Sequence, residues 1–301
     1  MHAKTVIIIT GPTAAGKTEL SLAVARHFNT SIISADSRQC FRELNIGVAK
    51  PSSAELNMVK HEFVNSHSIR EEVNAALFES LSLQWANTVF EKRDVLVMAG
   101  GTGLYIKAFC EGLDPVPPPD EQLRTEIREQ YEQNGLAWLQ GRIRLLDPRY
   151  DQSGETRNPQ RMMRALEVIE STGRSILSFR DAPKKIRPFH IARFGIRVPS
   201  PVLYQRINER VDRMMKSGLL EEVRSLLAFQ HLNALQTVGY TELFEYLNGN
   251  SDLMAAVDRI RQNSRRYAKR QMTWLRKESA MHWLGENPLQ EIIDNYQRVK
   301  I

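Results

Sequence analysis

The residues best suited to chemistry form one short loop near the start of the chain. It reads Gly11-Pro12-Thr13-Ala14-Ala15-Gly16-Lys17-Thr18 and matches the phosphate-loop pattern G-x-x-x-x-G-K-[ST]. In this pattern, backbone N–H groups and the N-terminus of the following helix bind phosphate oxygens. Lys17 is expected to reach the terminal phosphates, and Thr18 to offer its hydroxyl to Mg²⁺. The loop predicts a diphosphate or triphosphate ligand without specifying ATP.

The segments around this loop have the character that the pattern requires. Val6 to Thr10 is a β-branched apolar run of strand length, and Glu19 to His27 reads as a helix. Two further apolar runs, Ser31 to Ser34 and Asp94 to Ala99, are typical of buried parallel strands. We therefore expect an α/β fold with a P-loop NTPase-like parallel sheet flanked by helices.

Polar residues follow the ends of two of these predicted strands. Asp36 comes after the second strand, where ligands of parallel sheets bind, so it is expected near the phosphate loop. A turn or helix-cap role for Asp36 is equally open, since Asp favours both. Thr102 lies in the turn Gly100 to Tyr105 after the third strand. The glycines of this turn are expected to let backbone approach a ligand, and a tight strand-to-helix turn is the alternative. That strand lacks a terminal Asp, which disfavours an ATPase motor.

The sequence pattern changes after the proline-rich stretch Pro115 to Pro119. Helical segments follow; Gly135 is expected to end the first, and Asn158 to cap a later one. An alternating segment from Phe189 to Val198 predicts a returning strand, and the remainder is expected to be helical. We divide the chain into a core at 1–115, an inserted helical subdomain at 116–187, and a return to the core with C-terminal helices at 188–301.

Basic residues concentrate on two predicted helices. One begins at Asn158 and carries Arg161 and Arg164; the other, capped by Ser251, extends to about Lys277. On the second helix the basic residues alternate with Tyr267 and Trp274, a combination that suits loop or single-stranded RNA. A solvated helix face is the simpler alternative for both.

Composition limits the possible classes of protein. The chain has 301 residues, of which 42% are hydrophobic, and its apolar runs are too short to span a membrane. Cys40 and Cys110 lack metal-site spacing and are expected to be reduced thiols. Met1 to Lys4 leads directly into the first strand, which leaves no room for a secretory signal and predicts a cytoplasmic location. The net charge of +6 permits a nucleic-acid partner without requiring one.

Taken together, these motifs resemble the bacterial tRNA dimethylallyltransferase family. The resemblance is carried, in the family's order, by Gly11 to Thr18, Ile33 to Gln39, Gly47 to Pro51, Gly100 to Tyr105, Leu146 to Pro148, Asn158 to Val168, Gly218-Leu219 with Glu222-Val223, Gln236 to Tyr240 and Tyr267 to Arg276. The chain departs from the family at Val48, where Thr is usual, and at Phe41, where Tyr or a related residue is usual.

The resemblance implies a reaction and a set of site residues. The dimethylallyl group of dimethylallyl diphosphate would pass to N6 of the adenosine that is 3′-adjacent to the tRNA anticodon, with release of diphosphate. Asp36 (as general base), Thr102 and Lys17 would be catalytic. Diphosphate would bind Gly11 to Thr18 and one of the pair Arg206 and Arg210, for which we choose Arg210; Mg²⁺ would bind Thr18. The anticodon stem-loop would contact Asp36, Ser37, Arg38, Gln39, Thr102, Arg124, Gln160, Arg161, Met162, Met163 and Arg164. A monomer is expected.

Three other function classes use parts of the same pattern: a P-loop small-molecule kinase, an adenylate isopentenyltransferase that modifies free nucleotide, and a non-catalytic RNA-binding protein. The inserted basic subdomain and the long basic helix favour tRNA over a free nucleotide. The intact phosphate loop and Asp36 favour an enzyme over a binding protein.

Overall fold

Apolar β-branched segments build a parallel sheet in the computed structural model, which describes residues 4–118, 120–180, 183–278 and 280–299. Met1–Ala3 and Pro119 therefore lie outside the described residues. The six strands are β1 (Thr5–Thr10), β2 (Ile32–Ala35), β3 (His61–Glu62), β4 (Val95–Gly100), β5 (His190–Ile196) and β6 (Met281–Leu284). Their order is β3-β2-β4-β1-β5-β6, and every pairing is parallel. The predicted α/β fold with a parallel sheet is confirmed.

The sheet order brings three strand ends together. β4 pairs with both β1 and β2, and in these pairings Gly100 lies opposite Thr10 and Ala35. The phosphate loop, Asp36 and the glycine-rich turn follow directly after these three strands. Because the carboxyl ends of parallel strands lie at one edge of the sheet, the three segments must be neighbours.

The chain divides into two compact units, Met1–Glu111 with Ile186–Ile301, and Gly112–Lys185. The first unit contains the sheet and the helices α1 (Lys17–His27), α2 (Ser53–Met58), α3 (Ala75–Phe90), α4 (Gly103–Glu111), α8 (Ser200–Lys216), α9 (Leu219–Ser225), α10 (Tyr240–Leu247), α11 (Leu253–Leu275) and α12 (Pro288–Val299). Single 3₁₀ turns occupy Leu227–Phe229 and Asn233–Leu235.

The second unit is helical, and its residues 112–185 overlap the stretch 116–187 in which the sequence analysis expects an inserted subdomain. It consists of α5 (Glu121–Leu146), α6 (Pro148–Asp151), α7 (Pro159–Thr172) and a 3₁₀ turn at Ile176–Phe179. α5 is kinked at Gly135, which has a positive φ of 72° and is not helical. The helix end expected at Gly135 is therefore present as a kink inside α5. Asn158 caps α7 through its side chain, as expected.

Three details differ from the sequence-based expectations. The residues after the returning strand are not all helical, because Met281–Leu284 forms β6 beside β5. Four residues are too few to show the alternation that would have predicted this strand. The cap of α11 is Asp252, whose side chain accepts the Ala255 amide at 2.9 Å, and not Ser251. The two-residue edge strand β3 was also not predicted.

The expectations about the two cysteines and about membrane-spanning helices can be compared with the structure. Cys40 and Cys110 are both free, buried thiols. None of the helices formed by the described residues combines the length and the apolar character that a bilayer crossing requires.

Candidate active site

The phosphate loop joins β1 to α1 in a conformation suited to anions. Gly16 adopts a left-handed φ of 92° immediately before α1, and Ala14 also has a positive φ, of 63°. The Lys17 ammonium donates hydrogen bonds to the carbonyl oxygens of Gly11 (3.0 Å) and Pro12 (2.8 Å). Burial, with a smaller contribution from Arg210, lowers the pKa of Lys17 to about 8, while Asp36 opposes this shift. Lys17 thus lies over the loop, and its expected contact with terminal phosphates stays a prediction.

Three arginines from α8 line a cavity beside this loop. Arg206, Arg210 and Arg213 are spaced for one helix face, and the cavity they share with Gly16 to Thr18 has a volume of about 500 Å³. The Arg210 guanidinium forms no ion pair or hydrogen bond with any residue that the structure describes. Burial lowers the pKa of Arg210, and Asp36 opposes the shift. A half-buried cation without an internal partner indicates an anionic ligand.

Asp36 lies at the boundary between this cavity and a second one. The second cavity has a volume of about 520 Å³, and Asp36, Val48 and Arg210 line both. The Asp36 Oδ1 atom accepts hydrogen bonds from the amides of Arg38 (2.9 Å) and Gln39 (3.3 Å). Among the described residues, none donates a hydrogen bond to Oδ2. The turn role and the catalytic role that the sequence left open can therefore belong to different oxygens of one carboxylate.

The other residues of the Asp36–Gln39 turn connect it to neighbouring loops. The Ser37 amide donates to Thr102 Oγ1 (3.1 Å), which places Thr102 beside this turn. The Arg38 guanidinium donates to the Gln236 carbonyl oxygen (3.4 Å). Gln39 accepts from Ser34 Oγ (3.0 Å) and donates to the Ala49 carbonyl oxygen (3.1 Å). These bonds order the rim of both cavities.

The second cavity combines an apolar wall with a polar wall. Its apolar lining includes Ile207, Val211, Met214, Leu219, Val238 and Ile260. Its polar lining includes Arg38, Thr237, Asn263, Tyr267 and Arg270. A volume of this size is typical of small-molecule sites and can hold a nucleobase.

The glycines of the turn Gly100 to Tyr105 lie close to other parts of the protein. A Cβ atom on Gly100 would lie 2.2 Å from the Ala35 carbonyl oxygen, and one on Gly101 would lie 2.2 Å from Gln271 Nε2. A Cβ atom on Gly103 would lie 2.5 Å from the Trp274 ring. The glycines therefore leave room for neighbouring protein atoms, as a tight strand-to-helix turn requires. Gly100 and Gly101 also line cavities beside the phosphate loop, and the approach of a ligand to their backbone stays a prediction.

Gln271 was missed by sequence reasoning. Its side chain bridges the phosphate loop and the glycine-rich turn, through the Thr13 amide (2.8 Å) and the Gly101 carbonyl oxygen (3.0 Å). The available signal was its position within the matching segment Tyr267 to Arg276, where the sequence analysis considered the charged and aromatic residues instead. The separation of 258 residues between Thr13 and Gln271 leaves no local pattern to detect.

In the helical unit, the expected tRNA contacts differ in exposure. The side chains of Met162 and Met163 are 0% and 8% exposed and pack in this unit's core, so their placement does not favour the direct tRNA contact we expected. The apolar side of α7 must be buried for the unit to fold. Gln160 is exposed, and Arg161 keeps 63% of its side-chain surface.

Arg124 and Arg164 are held by the same buried carboxylate. Arg124 Nε lies 3.1 Å from Glu167 Oε1, and Arg164 Nη1 lies 2.9 Å from Glu167 Oε2. Arg164 also donates to the Pro117 carbonyl oxygen. Both arginines thus have structural partners within the helical unit.

Oxygen atoms near the phosphate loop fit a hard divalent cation. Thr18, Ser34 and Asp36 line one small cavity, and hydroxyl and carboxylate oxygens are donors that Mg²⁺ accepts. The described residues include no cluster of three or more His, Cys, Asp or Glu that would hold a metal ion alone. This donor set suits a magnesium ion that is bound mainly through substrate phosphates.

Comparisons with known proteins show which family the chain belongs to. Residues 39–278 match the family described as IPP transferase. The chain is 44% identical to the tRNA dimethylallyltransferase of Cytophaga hutchinsonii, covering 96% of this chain and 95% of that protein. It is 43% identical to tRNA dimethylallyltransferase 1 of Bacteroides thetaiotaomicron, covering 96% and 94%.

A solved structure also resembles the chain along nearly its whole length. The full-length tRNA isopentenylpyrophosphate transferase of Bacillus halodurans is 31% identical, has a TM-score of 0.71, and is matched over 98% of this chain and 95% of that chain. The parallel sheet with a phosphate loop is the P-loop NTPase-like fold of these enzymes. The chain belongs to the IPP transferase family, and it is a transferase.

Proposed function

We propose that this protein transfers the dimethylallyl group of dimethylallyl diphosphate to N6 of the adenosine that is 3′-adjacent to the tRNA anticodon. The observation that carries the proposal is the position of Asp36, which lines both cavities and has one carboxylate oxygen without a described donor. One cavity contains Lys17, Arg210 and the phosphate loop, which suit the diphosphate. The other has room for the adenine.

The chemistry requires a base at this boundary. The exocyclic amine of adenine is a weak nucleophile, and its proton becomes acidic only as the N–C bond forms. As N6 attacks the allylic carbon, the bond from that carbon to the diphosphate oxygen breaks, and its electron pair leaves with the diphosphate. Asp36 then accepts the N6 proton.

Positive groups stabilise the charge that develops on the leaving diphosphate. Lys17, Arg210 and the N–H groups at the start of α1 are placed to do so. Thr18 would hold Mg²⁺, with Ser34 and Asp36 lining the adjoining cavity. When bound, the ion adds positive charge to the diphosphate oxygens. Thr102 supports Ser37 and so keeps the turn of Asp36 in place.

The tRNA must present an unstacked adenosine to this site. We assign contacts with the anticodon stem-loop to Asp36–Gln39 and Thr102 in the first unit, and to the helical unit through its exposed Gln160 and Arg161. Arg270, which lines the second cavity, is an added candidate. We further propose a monomer that acts in the cytoplasm, where the buried thiols Cys40 and Cys110 would stay reduced.

One labelling experiment tests the proposal against its rivals. The protein is incubated with ¹⁴C-labelled dimethylallyl diphosphate and either total tRNA or AMP, and a parallel reaction contains γ-labelled ATP. We expect label in tRNA, and nuclease digestion should locate it in the adenosine after the anticodon. Label in AMP would support an adenylate isopentenyltransferase, and phosphoryl transfer from ATP would support a kinase; either result without tRNA labelling contradicts the proposal.

A further inference from the structure

We propose that Gln271 is a positioning residue that fixes the phosphate loop against the glycine-rich turn, so that the loop is preorganised for diphosphate. The inference rests on the proposed function for the identity of the ligand. It adds to that site a residue whose carboxamide is bound at both ends within the protein.

The geometry calls for a carboxamide. Gln271 Oε1 accepts the Thr13 amide at 2.8 Å, and Gln271 Nε2 donates to the Gly101 carbonyl oxygen at 3.0 Å. Glutamine can accept at one end and donate at the other, whereas a carboxylate can only accept and an ammonium can only donate. The side chain is 8% exposed, so little water can replace either bond.

The opposite side of the bridge is shaped to admit this side chain. A Cβ atom on Gly101 would lie 2.2 Å from Gln271 Nε2, so any larger residue would displace the amide. Trp274 lies about one turn further along α11, and a Cβ atom on Gly103 would lie 2.5 Å from its ring. One face of α11 therefore packs against the turn, and Gln271 extends this contact to the phosphate loop.

The bridge also determines which amides remain for phosphate. The Thr13 amide is bound to Gln271, and the Ala15 amide is bound to the Pro12 carbonyl oxygen at 3.3 Å. The first N–H groups of a helix have no partner within it, so those at the start of α1 remain for phosphate oxygens. Without the bridge, the backbone at Thr13 loses one of the contacts that hold the phosphate loop in its conformation.

The test measures binding of inorganic pyrophosphate by calorimetry, without tRNA or prenyl donor. Gln271→Met keeps the length and apolar bulk of the side chain but removes both hydrogen bonds. Gly101→Ala attacks the same bridge from its other end. Because a typical hydrogen bond is worth about 1 kcal/mol net, we expect each variant to weaken pyrophosphate binding by roughly 5- to 30-fold. The affinity for tRNA and the secondary structure should stay near those of the wild type.

A matched control and a wild-type measurement complete the test. Thr273→Ala changes an exposed residue of the same helix, whose hydroxyl bonds only within α11, and should leave pyrophosphate affinity unchanged. In the wild-type protein, the Thr13 amide should exchange slowly with solvent before any ligand is added. Rapid exchange of that amide, or wild-type affinity in a folded Gln271→Met or Gly101→Ala variant, overturns the proposal. Because no acceptor is present, these results do not depend on whether tRNA, AMP or another molecule is the substrate.

Discussion

Asp36 accepts the Arg38 amide through Oδ1 at 2.9 Å, and none of the described residues donates to its Oδ2. One oxygen thus closes the turn after β2, while the other is available at the boundary of two cavities. The sequence alone could not decide between a turn role and a catalytic role for Asp36. In the structure, Oδ1 has the turn role, and Oδ2 is free for the catalytic one.

This separation predicts the behaviour of Asp36→Asn. The amide oxygen can still accept the Arg38 and Gln39 amides, so the melting temperature should change little. The amide nitrogen cannot accept a proton, so the single-turnover transfer rate should fall by about 10²- to 10⁴-fold. Rapid-quench kinetics with saturating tRNA and dimethylallyl diphosphate measure this rate.

Asp36→Ala serves as the control because it removes both oxygens. It should lose the same catalytic factor and, in addition, about 1 kcal/mol of stability, the usual value of a capping side chain. A folded Asp36→Asn protein that transfers at nearly the normal rate would exclude Asp36 as the base.

Glu222 anchors the segment from Asn45 to Val48, and Val48 lines both cavities. Its carboxylate accepts the amides of Asn45 (3.1 Å), Ile46 (2.8 Å) and Gly47 (3.0 Å), and the Tyr240 hydroxyl (2.6 Å). Hydrogen bonds to a charged acceptor contribute more than neutral ones.

We therefore expect Glu222→Gln to lower the free energy of unfolding by about 2 kcal/mol. It should also slow transfer, because the adjoining Val48 lines both cavities. Urea unfolding and single-turnover rates measure the two effects. Tyr240→Phe removes only one of the four bonds and should cost less in both measurements; an equal or larger loss in that variant would show that Glu222 is not the anchor.

Lys50 provides a pH-dependent test of the same segment. Its ammonium donates to the Phe41 carbonyl oxygen (2.7 Å) and to Asn65 Oδ1 (2.6 Å), and burial lowers its pKa from 10.5 to about 8, opposed by Glu222. Since the pKa is lower in the folded protein, the unfolded chain binds more protons between pH 8 and 10.5. The contribution of Lys50 to the free energy of unfolding should therefore rise with pH across this window.

The measurement compares wild type with Lys50→Met by urea unfolding at pH 7.5 and 9.5. The difference in unfolding free energy, wild type minus variant, should become more positive at the higher pH. Lys92→Met, at an exposed lysine, should show no such trend. A difference that is constant or falls with pH would contradict the predicted direction.

Local patterns predicted much of the fold because they depend on near neighbours in sequence. The phosphate loop, the β-branched strands and the Asn158 cap each need only a few adjacent residues, and each is present in the structure. The strand ends also predicted where Asp36 and Thr102 lie, since a parallel sheet places its ligands at that edge.

The features that sequence reasoning missed depend on distant partners. Gln271 and Glu222 make their bonds to residues 258 and about 176 positions away, and neither residue type indicates this. Met162 and Met163 are buried, as their apolar character predicts. The tRNA contact that the resemblance implied for them stays a prediction.

The arginines of the helical unit give the last prediction, which separates contacts with tRNA from contacts within the fold. Arg161 is exposed, and its nearest carboxylate oxygen, on Glu155, is 3.5 Å away. An exposed ion pair of this kind contributes little, so Arg161→Gln should leave the melting temperature unchanged. If Arg161 binds a phosphate, the slope of log affinity for tRNA against log salt should decrease in magnitude by about 0.7 to 0.9.

Arg124 and Arg164 should behave differently because both neutralise Glu167, which is 5% exposed. Replacing either by Gln leaves that buried carboxylate with fewer partners, and we expect a loss of about 1–3 kcal/mol in the stability of the helical unit. Calorimetric melting and salt-dependent filter binding on the same preparations distinguish the two classes. If Arg124→Gln melted like the wild type and reduced the salt slope by one contact, Arg124 would be a tRNA ligand, as its place in the sequence first implied, and its pairing with Glu167 would be secondary.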